Sequence, residues 1–300
     1  MRKYAFVLML LSPWIIGFLA FTAIPMGLSL YWSFTHYDLT SDPIWIGLSN
    51  YKFMFGIGGH ADPFYWMSVK NTLWIIAFGV PLRVLFGMAT AMLLTRPRRG
   101  VNGYRTLFYM PSIVPRVGSA LVFVYLFNPL SGPINILLNK IPYVTAPLWF
   151  GDPRWAKPAL LVLGLWGIGD AVVLYLAGLL NVPRQLYEAI SIEGANAWQR
   201  FRYVTLPMLT PVIFFTVIIG VIDGFQYFDQ AYIASGSATL GEPNGSLLFY
   251  GIWMYEQAFQ SFHMGYAAAM AWVLFLAIMA CTALLLITSR RWVHYGGGMS

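Results

Sequence analysis

The sequence predicts an all-helical membrane protein with six transmembrane spans and a helical elbow outside the membrane. Of its 300 residues, 59% are hydrophobic and only 10% are charged, whereas a soluble domain carries about 25% charged residues. The apolar residues form runs long enough for a helix to cross a bilayer. The Lys and Arg residues behind the net charge of +7 gather in short segments between these runs. They therefore indicate membrane topology and not a nucleic-acid partner.

The predicted spans follow the apolar runs of the sequence. They cover about residues 4–31, 69–94, 107–127, 159–180, 209–232 and 266–289. The first run exceeds the roughly 7–15 apolar residues of a cleaved signal, so we expect it to remain as a span. Together the spans predict a single transmembrane domain over residues 1–300, surrounded by membrane lipid.

Positive charges mark one side of the predicted membrane. They lie at both termini and in the segments after spans two and four: Arg2, Lys3, Arg96, Arg98, Arg99, Arg105, Arg184, Arg200, Arg202, Arg290 and Arg291. The opposite segments hold Lys52, Lys140, Arg154 and Lys157. Because basic residues concentrate in cytoplasmic loops, we expect a multi-pass protein of a bacterial or archaeal cytoplasmic membrane, with both termini in the cytoplasm.

The sequence lacks the motifs of several enzyme classes. No Gly-x-x-x-x-Gly-Lys-[Ser/Thr] phosphate loop occurs, so we expect no ATP hydrolysis by this chain. His36, His60, His263 and His294 are scattered, and Cys281 is the single cysteine. We therefore expect no metal site, no disulfide within the chain, no catalytic residues and no cofactor of its own.

The segment between spans four and five, residues 181–208, has the pattern of two short helices outside the membrane. Asn181 is a suitable N-cap for the first helix, and Gly194 is a suitable end. Asn196 can cap a second helix. We expect Leu206-Pro207 to end that second helix, because the residue before a proline is disfavoured in helical geometry.

The same segment carries a spaced motif. Glu188-Ala189-Ile190 is followed after three residues by Gly194, and nine residues later by Val204, Thr205, Leu206 and Pro207. This pattern resembles the EAA loop of binding-protein-dependent ABC importer permeases, which reads Glu-Ala-Ala, three residues, Gly, nine residues, Ile, one residue, Leu-Pro. Ile190 and Val204 depart from that pattern, and both remain apolar.

Other segments resemble the sugar branch of that family, in the first permease subunit type of maltose, glycerol-phosphate and oligosaccharide importers. These segments are Asn71-Thr72-Leu73, Val80-Pro81-Leu82, Met110-Pro111 with Pro115, Phe228-Asp229-Gln230, Met264-Gly265-Tyr266-Ala267 and Arg290-Arg291-Trp292. Ser235-Gly236-Ser237-Ala238 departs from a Gly-Gly-Pro turn that is frequent in the family.

The resemblance implies the type I ABC importer permease fold, with the elbow as a coupling helix. The residues that it implies for contact with an ATPase are Glu188, Ala189, Gly194, Ala195, Leu206 and Pro207. It implies a heterodimer with a second homologous permease subunit, two ATPase subunits that use ATP and Mg, and an extracytoplasmic solute-binding protein. The implied solute is sugar-like.

Charged residues fall near the middles of predicted spans two to five: Arg83, Arg116, Asp170 and Asp223. A charge at that depth costs at least about 2.5–3.5 kcal/mol on insertion scales. These side chains are therefore expected to face a cavity, to pair with one another, or both. Two Arg and two Asp allow a neutral set, and the sequence leaves the alternatives open.

The resemblance also implies a solute path on spans four and five. Its residues are Trp166, Gly167, Asp170, Asp223, Gly224 and Tyr227. Aromatic rings stack on sugar rings and carboxylates accept hydrogen bonds from hydroxyls, so we expect an uncharged or weakly charged carbohydrate. An anionic solute requires that Arg83 or Arg116 faces the cavity, since two carboxylates repel an anion at low dielectric.

The alternative function is a secondary transporter driven by an ion gradient, since intramembrane carboxylates can relay protons. The elbow motif argues against it, as does the lack of a convincing internal repeat in the sequence. An intramembrane enzyme would need a clustered His or Asp motif, which the sequence lacks.

We predict that both termini are cytoplasmic. Alkaline phosphatase, which is active only outside the cytoplasm, should be inactive when fused after Arg291 and active when inserted within residues 234–264. The measurement is enzyme activity in intact cells. An active fusion after Arg291 would contradict the predicted topology.

Overall fold

The structure of the chain is a computed structural model that describes residues 2–59, 61–96, 99–143, 145–236 and 241–293. His60, Arg98, Ser237, Ala238 and His294, named in the sequence analysis, lie outside the described residues. The chain divides into two compact units. The first contains Met1–Trp66 and Trp253–Ala277, and the second contains Met67–Ile252 and Ile278–Ser300. The single domain over residues 1–300 stays a prediction.

Helices make up most of the described chain. In chain order they are α1 (Arg2–Phe18), α2 (Ile24–Ser33), α3 (Ser49–Phe55), α4 (Tyr65–Leu94), α5 (Val101–Ile113), α6 (Arg116–Leu126), α7 (Pro133–Leu138), α8 (Pro153–Trp166), α9 (Gly169–Leu180), α10 (Arg184–Ile192), α11 (Ala197–Arg200), α12 (Leu206–Phe225), α13 (Asp229–Ser235), α14 (Tyr250–Tyr255) and α15 (Met264–Ser289). π-Helical turns lie at Leu19–Ala23, Phe201–Thr205 and Glu256–Gln260. Strands β1 (Thr35–His36) and β2 (Ile44–Trp45) pair antiparallel, with Thr35 opposite Trp45.

Within the described residues, up to six stretches are long and apolar enough to cross a membrane. Four are continuous, namely Met9–Ser33, Tyr65–Leu94, Ala197–Phe225 and Met264–Ser289. The other two are bent helix pairs, α5 with α6 at 97° and α8 with α9 at 50°. The predicted count of six spans therefore holds when each bent pair is one span. Predicted spans three and four are helix pairs that begin earlier than expected.

Proline and glycine explain the two bends. Val114 is extended (φ −70°, ψ 129°) between α5 and α6, because the ring of Pro115 clashes with helical geometry at the residue before it. Between α8 and α9, Gly167 (φ −92°, ψ 24°) and Ile168 (φ −79°, ψ 4°) leave regular helical geometry. Hydropathy averages over such breaks, so the sequence pattern predicted unbroken spans here.

The elbow begins with α10, whose N-cap position is Pro183. Asn181, the predicted N-cap, instead ends α9. Its backbone N–H bonds the carbonyl of Ala177, so the chain leaves one helix there before it enters the next. Gly194 follows α10 at φ 79°, a left-handed conformation that glycine adopts without steric cost. The predicted glycine end of this helix therefore agrees with the structure.

The second helix of the elbow does not end at Pro207, as the sequence analysis predicted. It begins with the predicted cap, where Asn196 and Gln199 exchange hydrogen bonds of 2.7 and 2.9 Å. It then runs without interruption through a π-helical turn into α12, so that Ala197–Phe225 is one helix. The local π geometry accommodates the missing N–H of Pro207. The helix ends at Phe225, which leaves residues 226–232 of predicted span five outside it.

The core of the second unit lies among α4, α9 and α12. Its buried residues are Met88, Ala91, Leu94, Ile168, Ala171, Val172, Tyr175 and Leu209. The hydroxyls of Tyr175 and Thr216 share a hydrogen bond of 2.5 Å, which satisfies both groups in apolar surroundings. α5 crosses α9 at Gly169, where a Cβ would lie 2.7 Å from the carbonyl oxygen of Phe108. This close approach fixes the start of α9.

The first unit is organised around the buried carboxylate of Asp62. One oxygen accepts hydrogen bonds from the backbone N–H groups of Phe64 and Tyr65 at the start of α4. The other oxygen accepts from Trp253 Nε1 at 2.6 Å and from the Tyr266 hydroxyl at 2.5 Å. One fully satisfied carboxylate therefore ties the start of α4 to α14 and α15.

We predict that Gly169→Ala destabilises the protein. The added methyl group would lie 2.7 and 2.8 Å from backbone atoms of α5, so the free energy of unfolding should fall by about 1–3 kcal/mol. The measurement is the melting temperature in detergent. Gly164→Ala is the matched control, because its Cβ meets nothing within 4 Å and alanine is the better helix former. Equal melting temperatures for Gly169→Ala and the control would contradict the packing.

Candidate functional site

A cavity of about 320 Å³ lies in the second unit and is lined by residues of α4, α5, α6, α8, α9 and α12. All the predicted path residues line it: Trp166, Gly167, Asp170, Asp223, Gly224 and Tyr227. Arg83 and Arg116 line it as well. Its volume is at the lower end of the roughly 300–1,000 Å³ found for small-molecule sites.

The charged side chains of the cavity form one connected set of ion pairs. Arg83 Nη2 lies 2.6 Å from Asp170 Oδ2, and Arg83 Nη1 lies 3.5 Å from Asp223 Oδ2. Arg116 Nη2 lies 3.5 Å from the same oxygen of Asp223. The charges thus pair with one another and also line the cavity, so the alternatives that the sequence left open occur together.

Three of these charged residues lie at the ends of helices. Asp170 lies in the first turn of α9, where the helix dipole favours a negative charge. Arg116 is the first residue of α6, and Asp223 lies in the last turn of α12. Both positions oppose the helix dipole, so these two charges depend on ion pairs for compensation. Asp223 was predicted near the middle of its span, but it lies near the end because α12 stops at Phe225.

Solvent access differs among the four side chains. Arg83 is 28% exposed and Asp223 is 35% exposed, whereas Asp170 is 54% and Arg116 is 61% exposed. Arg83 is therefore the enclosed centre of the set, and Asp170 and Arg116 are its accessible groups.

Two aromatic residues border the charges. The Trp166 side chain is accessible, and its ring centroid lies 5.7 Å from that of Phe123. The Tyr227 hydroxyl donates to Gln230 Oε1 at 2.8 Å, and the Tyr227 ring meets the Phe249 ring edge-on at 5.2 Å. Trp166 therefore offers a ring face for stacking, whereas Tyr227 is held in place by its neighbours.

The structure adds polar cavity residues that the sequence analysis did not assign to the solute path. They lie near the α5–α6 bend and on α13: Tyr109, Ser112, Ser119 and Gln230. The signal that could have found the first three is the close pair of prolines at Pro111 and Pro115, because broken membrane helices line polar cavities.

The elbow forms a second candidate site at the surface. Of the residues implied for ATPase contact, Glu188, Ala189 and Gly194 are exposed, and Ala195, Leu206 and Pro207 are half-buried. The apolar side chains of Ile192 and Trp198 are also exposed. The Tyr187 hydroxyl shares a 2.9 Å hydrogen bond with Thr205 Oγ1, which joins α10 to the helix Ala197–Phe225. An exposed carboxylate beside exposed apolar side chains suits a protein partner.

A polar cavity among broken membrane-crossing helices, together with an exposed helical elbow, defines a membrane transport subunit. Residues 83–294 match the family described as the binding-protein-dependent transport system inner membrane component, and the chain belongs to that family. The match includes the cavity charges and the elbow. The chain is therefore a multi-pass permease subunit of the inner membrane.

Curated relatives span almost the whole chain. The probable ABC transporter permease protein YesP of Bacillus subtilis (strain 168) is 44% identical over 293 residues, 97% of this chain and 91% of the relative. The sulfoquinovosyl glycerol transport system permease protein SmoG of Agrobacterium fabrum is 31% identical over 281 residues, 93% of this chain and 88% of the relative.

A solved structure supports the fold. A chain from a bacterial ABC transporter involved in the import of the acidic polysaccharide alginate superposes with a TM-score of 0.81. The sequence identity is 22%, and the match covers 97% of this chain and 96% of the other. The predicted fold class, the type I importer permease fold, is confirmed.

We predict that Arg83→Gln destabilises the protein by about 1–3 kcal/mol, because both carboxylates lose their enclosed counter-ion. Adding Asp170→Asn to Arg83→Gln should recover part of the loss, since one uncompensated charge is removed. Melting temperatures in detergent measure the effect. Arg154→Gln is the control, because Arg154 is 86% exposed in its pair with Asp152 and such pairs contribute little. Equal melting temperatures for Arg83→Gln and the double variant would contradict this account.

Proposed function

We propose that this chain is the permease subunit through which an ATP-driven ABC importer moves a carbohydrate or sugar derivative into the cytoplasm. The observation that carries the proposal is the cavity that joins an accessible indole ring to a set of paired charges. The names of relatives support the solute class. They include permease proteins for lactose in Rhizobium radiobacter, at 31% identity, and for arabinooligosaccharides in Bacillus subtilis, at 27% identity.

The chemistry of the cavity suits a polyhydroxylated ring. In this proposal the Trp166 indole stacks on a sugar face. Asp170 is 54% exposed and pairs with Arg83 through Oδ2, so its carboxylate can also accept hydrogen bonds from sugar hydroxyls. The backbone at Gly167 borders open space beside the indole, since a Cβ there would lie 3.9 Å from the nearest atom, the carbonyl oxygen of Gly164.

In the same proposal the elbow couples the cavity to an ATPase. Glu188 forms a charge pair with the partner, and the apolar side chains around it pack in a groove on the partner surface. Two such ATPase subunits bind and hydrolyse ATP with Mg, and this chain holds no cofactor. A second homologous permease completes a heterodimer. An extracytoplasmic binding protein delivers the solute on the side opposite both termini.

The function is tested by uptake into proteoliposomes. The chain is purified with its second permease and ATPase, and the binding protein and a labelled oligosaccharide are added. Uptake should require hydrolysable ATP and should continue after ionophores remove all ion gradients. Uptake that needs an ion gradient and no ATP would instead support the secondary transporter, against which the family membership already argues.

We predict that Glu188→Ala weakens binding of the ATPase by about 1–3 kcal/mol, the contribution of a charge-assisted contact. The measurement is the amount of ATPase that co-purifies with a tagged permease. Glu193→Ala is the matched control, because Glu193 is also an exposed carboxylate at the end of α10. Equal recovery of the ATPase with both variants would contradict the role of Glu188.

A further inference from the structure

The two arginines of the cavity are neutralised to different degrees. Arg83 contacts two carboxylates, Asp170 at 2.6 Å and Asp223 at 3.5 Å. Arg116, in the part of the chain that the structure describes, contacts one carboxylate, Asp223 at 3.5 Å. That same Asp223 oxygen is shared with Arg83. Arg116 therefore shares its carboxylate partner with Arg83, whereas Arg83 also pairs with Asp170, which Arg116 does not contact.

The distance of 3.5 Å between Arg116 Nη2 and Asp223 Oδ2 indicates a weak contact. Strong hydrogen bonds between a guanidinium and a carboxylate measure about 2.7–2.9 Å, and 3.5 Å lies beyond the usual range. A guanidinium has five N–H donors in a planar fork. Among the described residues, Arg116 pairs with Asp223 through Nη2, which engages part of this fork, and the Arg116 side chain is 61% exposed where it lines the cavity.

We propose that Arg116 binds a carboxylate of the solute, so that the transported carbohydrate is an acidic saccharide such as a uronic-acid oligosaccharide. This inference rests on the proposed function, since it concerns the solute of that same cavity. It replaces the expectation of an uncharged solute drawn from the two aspartates. That expectation left room for an anionic solute where Arg83 or Arg116 faces the cavity, and both arginines line it together with both aspartates.

The charges rearrange in a simple way when such a solute binds. The solute carboxylate takes the two outer N–H groups of Arg116 in a bidentate pair. Asp223 then loses its contact with Arg116 and keeps its contact with Arg83. The solute carboxylate thereby replaces Asp223 as the partner of Arg116, and Asp170 stays paired with Arg83.

A neutral sugar gains less from the same site. Its hydroxyls accept hydrogen bonds from Arg116, but each lacks the negative charge that strengthens the contact. A hydrogen bond between two charged partners is stronger than one in which a single partner is charged. Replacing the carboxylate by a neutral group of equal size should therefore lower affinity about tenfold, which corresponds to about 1.4 kcal/mol.

The experiment compares trigalacturonate with its fully methyl-esterified form, which has the same ring skeleton and hydroxyls, one added methyl group per residue and no negative charge. Each compound is titrated into the intact importer without its binding protein, in lipid nanodiscs, and the shift in melting temperature gives the apparent affinity. Uptake into proteoliposomes with the binding protein is measured in parallel. The first readout isolates the permease cavity from the selectivity of the binding protein.

The wild-type importer should bind the free acid about tenfold more tightly than the ester. Arg116→Gln should abolish that preference and leave the weak affinity for the ester. Arg116→Lys keeps the charge and loses the planar fork, so its preference should be intermediate. If Arg116→Gln folds poorly, Arg116→Lys still reports the effect. Arg154→Gln, which removes the positive charge of a residue that does not line the cavity, should keep the full preference.

The outcomes separate this inference from the proposed function. Equal affinity of the wild-type importer for acid and ester, with ATP-dependent uptake of neutral oligosaccharides, would overturn the inference and leave the function intact. A full acid preference in Arg116→Gln would overturn it as well. Absence of ATP-dependent uptake of any saccharide, with active ATPase present, would overturn the proposed function itself.

Discussion

A charge that lies inside a membrane protein needs a partner, and the pairing of Arg83 satisfies this constraint for the second unit. Its guanidinium on α4 contacts carboxylates that lie 87 and 140 residues further along the chain, Asp170 on α9 and Asp223 on α12. One side chain therefore ties three spans together. It also keeps the space between them polar, because no well-packed apolar core could surround these charges without a large desolvation cost. The cavity follows from this pairing.

The bends in two spans are the second condition for that cavity. A continuous membrane helix forms all its backbone hydrogen bonds internally, so that only its side chains can line a cavity. The bends at Pro115 and at Gly167 interrupt two spans beside the cavity, and they place the first turns of α6 and α9 in its lining. Arg116 and Asp170 owe their positions to these helix starts. Irregular backbone at this depth is tolerated because it borders a polar space and not lipid.

The helix Ala197–Phe225 connects the two candidate sites. Its 29 residues span roughly 43 Å at about 1.5 Å per residue. One end follows the elbow, where the hydrogen bond between Tyr187 and Thr205 fixes α10 against it. The other end carries Asp223 in its last turn. One continuous helix therefore extends from the elbow to the ion pairs of the cavity.

The sequence by itself determined the class of fold, the elbow and the identity of the charged residues of the cavity. These features are local, since hydropathy, capping residues and motif spacing act within a few turns of chain. The tertiary structure decided which arginine pairs with which aspartate, that both arginines line the cavity, and that two spans bend. It also carried the elbow helix past Pro207, where local preference predicted an end. An ion pair between residues more than 80 positions apart in the sequence depends on how the helices pack. No local sequence pattern encodes that packing.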